Sequence, residues 1–560
     1  MRSTNLSRRF AAVSCIAAAS LLLAACGGDD GDGGDGDGGE AAEGGGGTLV
    51  FGASADPIIL DGPLFSDGES ARPVYQIFEG LVTTEEGGTE IIPALAESWE
   101  ASEDGLEWTF TIRQDVTFHD GEPLNAEAVC FNFERWYNFE GVLQSPAVSY
   151  YWNTVMGGFS DGANPSLYSG CEATDEFTAV ITLTSPSSAF LSAMAMPAFT
   201  IASPQALTDG DADAVGGTEE SPSFEGTYGY ENPAGTGPFR FESWDRGSQL
   251  TLVRNDDYWG EPAQLERLIF TVIPDGPARR QALEAGEIDG YDLVDPADVE
   301  ALESAGFQIL RRPAFNVGYV GFQQNAAPFD NPQIRQAIAH AINKENLLRT
   351  NYPEGTVEAT QFMPPELFGW AEDVPTYEYD PDRARQLIEE SGVEDLTLQF
   401  WYPTDVSRPY MPNPQANWEL ITADLEAVGF TIEPQTAPWN PDYLDATSTG
   451  GTPMFLLGWT GDFGDPDNFI GTFFQDVNPQ FGSFDNAEIQ DVLDQAEAET
   501  DPDARTELYQ EANRLIMEEL PGVPYVHNEP AIAFAEGIDG YVPGPLNNEV
   551  FDTVTVPDSE

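Results

Sequence analysis

Two side chains of opposite charge carry the clearest chemistry in this sequence. Arg408 is the one cation in the loop Pro403 to Pro414, and Asp462, Asp465 and Asp467 lie in the Gly/Asp/Pro loop that follows the apolar run Met454 to Leu457. A guanidinium and a carboxylate at fixed separation suit a zwitterion whose amine and carboxylate lie a few residues apart. The same two groups are equally able to pair with each other or face water, and spacing alone leaves both readings open. Asp467 also fits the cap of a following helix; calcium fits poorly, because the loop lacks EF-hand spacing.

Nucleophilic and metal chemistry find less support. Gly158-Phe159-Ser160-Asp161-Gly162 matches a nucleophile-elbow pattern, but no apolar strand precedes it and Asn164-Pro165 prevents an immediate helix, so it reads as a turn. His119, His340 and His527 are the only histidines, and none has zinc-ligand spacing. His119 and His340 read as structural, the latter on a helix surface. No P-loop occurs, so any use of ATP falls to a different subunit.

The elements around the two charges follow one pattern. Leu396 to Tyr402 alternates as a strand, and Gln415 to Val428 shows helical spacing through Trp418, Ile421, Leu425 and Val428. After the second loop, Phe469, Ile470, Phe473 and Phe474 resume helical spacing. Each loop therefore joins a strand to a helix, and in an open α/β sheet loops at the carboxyl ends of strands face the ligand crevice. All three aspartates are expected near that mouth rather than in a core. The loop Ser66-Asp67-Gly68-Glu69-Ser70, between the strand Thr48 to Ala53 and a helix at Ala71 to Leu81, is expected at the crevice too; there Ser70 either meets a ligand or caps the helix.

The segments Ser407 to Pro414 and Gly458 to Phe469 closely resemble the dipeptide-binding branch of the family 5 solute-binding proteins of ABC importers. Further motifs continue the likeness: Ile92-Pro93-Ala94-Leu95-Ala96-Glu97-Ser98-Trp99, Val116-Thr117-Phe118-His119-Asp120-Gly121, Gly235-Thr236-Gly237-Pro238-Phe239, Pro328-Phe329-Asp330-Asn331 and Tyr379-Asp380-Pro381. The resemblance implies that Arg408 clamps a peptide carboxylate and Asp462 holds the amine. Tyr410, Trp459, Thr460 and Gly461 would line the cleft with Ser66 to Ser70. It also implies a periplasmic-binding-protein-like α/β fold of two lobes joined by a two-segment hinge. The first lobe would span 48–313, with an extra subdomain at about 82–225; the second would span 314–528, and 529–560 would return to the first. No cofactor is implied, and the partners are a small peptide and an ABC permease with its ATPase subunits.

Helices are expected at Ala126 to Phe139, Gly276 to Ala285, Gln333 to Arg349, Pro381 to Ser391, Ala487 to Glu499 and Asp503 to Leu520. Antiparallel strands are expected at Glu107 to Arg113 and Thr178 to Thr184. About 510 residues follow the leader and tether, too many for one core and suited to two large lobes.

Residues 1–25 read as an export signal: Arg2, Arg8 and Arg9 precede an apolar stretch too short to span a membrane, and Arg8-Arg9 leaves a twin-arginine route open. Leu23-Ala24-Ala25-Cys26 resembles a lipobox, which implies a lipid on Cys26 and a monomer anchored to the outer face of the cell membrane. Residues 27–47 are Gly, Asp, Glu and Ala, with no large apolar side chain to bury, so they read as a disordered tether.

The net charge is −74, and loss of the three signal arginines takes it to −77, with Lys344 the only lysine. Such a chain repels nucleic acid. Its acids are spread along the whole length, which favours adaptation to salt over attraction of cationic peptides. Cys130 and Cys171 remain as one pair, read as a disulfide in an exported protein or else as two unlinked thiols. Two function classes result. One is a non-enzymatic receptor for small peptides, or alternatively for an oligopeptide, opine, haem or metal chelate. The other is a cell-envelope peptide hydrolase, which would need a Ser/His/Asp set or metal trio that the sequence does not display.

Overall fold

Leu49 and Phe51 are fully buried and alternate along Thr48–Ala53, which places this strand at the heart of the first sheet. The computed structural model describes residues 46–218, 221–482, 484–546 and 548–557; the expected export signal, Cys26 and nearly all of the expected tether lie outside them. Thr48–Ala53 pairs in parallel with Arg267–Val272 and Gly290–Tyr291. Phe239–Asp245 and Gln249–Arg254 extend the sheet on one side. On the other, Ala531–Phe534 runs antiparallel between Gly290–Tyr291 and Gln308–Arg311.

A second sheet of five strands forms the other lobe. Asn316–Phe322, buried at every position, pairs antiparallel with Met454–Thr460 and Gly522–Val526. Thr397–Thr404 lies parallel to both Met454–Thr460 and Thr431–Pro438. Parallel strands need crossovers, and Pro414–Val428 is the crossover helix between Thr397–Thr404 and Thr431–Pro438.

The chain passes between the sheets twice, from Arg311 to Asn316 and from Val526 to Ala531. One side chain ties the two passages together: the Asn316 amide donates to the Asn528 carbonyl at 2.8 Å and accepts from the Asn528 N–H at 3.0 Å. Beside it Arg312 is buried and shares Asp292 with Arg72. Charge pairing of this kind offsets the cost of taking the guanidinium groups out of water.

The extra layer on the first lobe is a four-stranded antiparallel sheet in the order Ala96–Ala101, Glu107–Ile112, Thr178–Leu183, Tyr168–Asp175, covered by Ala126–Tyr137. A disulfide joins Cys130 on that helix to Cys171 on the edge strand, with Cα atoms 5.2 Å apart. It closes a loop of 41 residues. Reduction or a Cys130→Ser, Cys171→Ser pair is expected to cost roughly 3 to 4 kcal/mol through the freer unfolded chain. A urea midpoint that does not move under reductant would refute this.

Three expected helices differ in detail. The one at Gln333 to Arg349 is two helices, Pro332–Ala341 and Lys344–Asn351, because the Asn343 side chain accepts from the Asn346 N–H and begins a new helix. The first helix is Gly68–Ile77 rather than Ala71 to Leu81, since Asp67 caps it by accepting from the Ser70 N–H. The apolar spacing after Phe469 yields only Ile470–Phe474, preceded by the 3-10 turn Pro466–Asn468.

Candidate ligand-binding cleft

Three parallel strands of the second sheet end at one edge, and each is followed by a distinctive side chain. Arg408 follows Thr397–Thr404, Trp439 follows Thr431–Pro438, and Asp462 follows Met454–Thr460. Asn316 pairs with Thr460, so the interlobe passages meet the same edge. The two expected charges thus do lie at neighbouring strand ends. They are not bonded to each other: among the described residues no ion pair of either is present, and the Arg408 guanidinium sits over the Trp439 ring at 4.7 Å. Arg408 itself is held in a tight turn by reciprocal backbone bonds with Met411.

Asp462 meets the first lobe. Its carboxylate accepts from the Tyr151 hydroxyl at 3.1 Å, and its N–H donates to the Asn468 side-chain oxygen at 2.7 Å. Tyr75 and Tyr150 stand close enough for the Asp462 charge to raise their pKa values further, on top of burial. No cation balances the carboxylate, and burial pushes it up to about 6 despite the Asn468 and Tyr151 bonds. The arrangement is a carboxylate facing three phenols, suited to an ammonium group.

The sign of the pH effect follows. Asp462 is carboxylate above pH about 6 and increasingly neutral below it, so its burial lowers the stability of the ligand-free protein as pH rises from the ordinary carboxylate range to about 6, and the loss is complete above that. A ligand ammonium needs the carboxylate form. Affinity is therefore expected to be flat from pH about 6 up to the point, at about pH 8, where a peptide amine loses its proton, and to fall toward tenfold per pH unit beneath pH 6. Calorimetry on either side of that pH decides, and a flat profile would show that Asp462 does not take the cation.

The other two aspartates are not at the mouth. Asp465 is 2% exposed and bonded by both carboxylate oxygens to Arg505, at 2.7 and 2.8 Å. It also caps Pro466–Asn468 by accepting from the Asp467 N–H, the role expected of Asp467. Asp467 is no cap; burial, with Asp465 and Glu497 beside it, pushes its carboxyl up to about 7.

The other residues expected at the cleft are held as follows. Ser66 and Gly68 are exposed at the sheet edge that carries the interlobe passages. Asp67 accepts from the Ser70 N–H and hydroxyl, Ser70 accepts in turn from the Ile58 N–H, and Glu69 binds Ser54 and Arg72. Tyr410 is buried, its ring so close to Gly458 that a Cβ there would lie 2.3 Å from it. Trp459 donates to Asn468, Thr460 pairs with Asn316, and Gly461 packs on Phe315. Trp439, Tyr75 and Tyr151 had no sequence signal that set them apart; Tyr151 lies in an aromatic run whose next residue, Trp152, is core.

The histidines are engaged by backbone carbonyls. His119 and His527 are held by the carbonyls of Gly237 and Asn316, and burial lowers each to about 4. His340 is bound to the Glu378 carbonyl. Gly158 to Gly162 is a turn closed by the Gly162 N–H on the Phe159 carbonyl.

Comparisons with known proteins bear on the fold and the family. The profile of the bacterial extracellular solute-binding proteins, family 5 Middle, matches residues 90–481. The dipeptide-binding protein of Escherichia coli K12 is 32% identical over 529 residues, covering 91% of this chain and 94% of its own. Heme-binding protein A of Haemophilus influenzae is 30% identical over 97% of this chain and 98% of its own. An ABC transporter-associated periplasmic binding protein from Helicobacter pylori, solved in complex with the peptide STSA, superposes with a TM-score of 0.75 at 29% identity, over 91% of this chain and 98% of its own.

Proposed function

This chain belongs to the family 5 bacterial extracellular solute-binding proteins, and on that premise we propose that it captures small peptides, dipeptides above all, outside the cell and delivers them to an ABC permease. One observation carries the choice of ligand: a buried carboxylate without a cation, Asp462, and a guanidinium without a carboxylate, Arg408, stand at neighbouring strand ends. A free peptide supplies both missing charges at once. An extended chain advances about 3.3 to 3.6 Å per residue, so the two protein charges act as a ruler for peptide length. Capture of this kind needs no catalysis.

The haem-binding relative favours a second reading, capture of a haem or metal chelate. Such a ligand has no use for an ammonium site opposite a guanidinium. Native mass spectrometry of the purified protein separates the two: a bound mass in the dipeptide range supports the first, and a haem or chelate mass with no peptide overturns it.

The resemblance of Leu23 to Cys26 to a lipobox supports a lipid anchor on Cys26, with the protein acting as a monomer tethered to the membrane. Cys26→Ser is expected to leave the protein soluble or unprocessed while the wild type partitions into membranes. Equal solubility of both in an acylation-competent host would remove the anchor.

A further inference from the structure

The two lobes touch at points that hold no ligand charge. Phe463 extends from the second lobe into a buried apolar cluster otherwise built from first-lobe side chains, and it is 6% exposed there. The next residue, Gly464, lies against the turn before Ile91–Pro93: a Cβ on Gly464 would fall 2.6 Å from the Thr89 Cβ. Gly464 does not use the left-handed region, so closeness to the other lobe, and not backbone conformation, is what requires glycine here.

A third contact lies apart from these two. The helix Ala487–Ala498 ends with carbonyls that its own backbone cannot satisfy. Arg505 takes the Ala496 carbonyl at 3.1 Å. The Glu497 carbonyl is taken by the other lobe: Ser188 donates to it from its N–H at 3.1 Å and from its hydroxyl at 2.8 Å. The negative end of a helix is thus capped across the seam, a contact that exists only while the lobes are shut.

We propose that Phe463 and Gly464 on one strand-end loop, with the Ser188 cap on the Glu497 carbonyl, form a latch that holds the lobes closed and sets how long a captured ligand stays. The proposal rests on capture of a peptide in the cleft. Association needs only the open cleft, whereas release must break the latch. Weakening the latch therefore raises koff and leaves kon unchanged. Loss of the Ser188 hydroxyl removes one hydrogen bond, which translates into about threefold to tenfold in rate. A methyl at Gly464 meets Thr89 only in the closed form and is expected to raise koff by about tenfold or more.

The test measures kon and koff for the free dipeptide Ala-Phe with wild type, Ser188→Ala, Gly464→Ala and the double variant Gly464→Ala, Thr89→Gly. The latch predicts faster release in both single variants at unchanged kon, unchanged ligand-free unfolding midpoints, and recovery of slow release in the double variant. Binding by wild type with the same koff in both single variants would overturn the latch alone. Failure of the wild type to bind Ala-Phe or any other free dipeptide would remove the proposed function and the latch with it.

Discussion

Dipeptide binding is expected to weaken by two to four decades when Asp462 is replaced by alanine. In a closed cleft the ligand ammonium is out of water, and removing its partner leaves that charge uncompensated, at a cost of roughly 3 to 5 kcal/mol. Tyr151 and the neighbouring phenols cannot replace the carboxylate, because they carry no charge near neutral pH. Arg408→Ala removes the partner proposed for the ligand carboxylate. Arg408 keeps partial exposure, so its loss belongs at the lower end of the range, about a hundredfold.

Blocked ligands give the same test from the other side. An N-acetyl dipeptide loses the Asp462 interaction and a C-amidated one loses that of Arg408, so each should bind the wild type far more weakly than the free peptide. Each should also lose its disadvantage in the matching variant. Isothermal calorimetry with free, N-acetylated and C-amidated forms decides, and equal binding of all three would end the two-charge clamp.

Asp292→Ala is expected to cost the folded protein a comparable 3 to 5 kcal/mol, the usual consequence of leaving buried charges unpaired. The carboxylate bridges Arg72 at 2.7 Å and Arg312 at 3.2 Å, and both guanidinium groups are buried. Glu69 remains for Arg72, and Glu549 with Tyr541 for Arg312, which keeps the loss from growing larger. Burial alone would raise the Asp292 carboxyl, but Arg312 and Arg72 outweigh it and hold it below its ordinary value. The contribution is therefore complete at neutral pH and is lost as pH falls through that lowered value. The urea midpoint of the variant should fall at neutral pH with an unchanged slope, and should approach that of the wild type in acid. Equal midpoints at neutral pH would refute the bridge.

Much of the secondary structure was legible because its causes are local. Gly276–Ala285 and Pro381–Ser391 lie where their patterns predicted, since Asp275 and Asp380 cap their starts and Gly286 and Gly392 take left-handed conformations at their ends. Thr48–Ala53 was equally plain, and the placement of the Arg408 and Asp462 loops followed from the rule that such loops lie at strand ends. Two of the three helices that differ do so through a capping side chain: Asn343 splits one helix, and Asp67 starts another three residues early.

What the sequence by itself determined is the two-lobed α/β class, most helix bounds, the cysteine pair and the two charges that could clamp a zwitterion. The resemblance singles out Asp462 among Asp462, Asp465 and Asp467, but why the three aspartates differ in their neighbours is recorded only in the tertiary structure. Asp465 is claimed by Arg505, forty residues away along the chain, and Asp467 has Asp465 and Glu497 beside it, while Asp462 is left to meet Tyr151 from the other lobe. The same holds for Trp439 beneath Arg408, and for Gly464, whose missing side chain matters only because Thr89 lies against it. Helix caps and strand alternation act within a few residues. Pairing, burial and the fit of one lobe on another depend on atoms brought together from distant parts of the chain, and no local pattern records them.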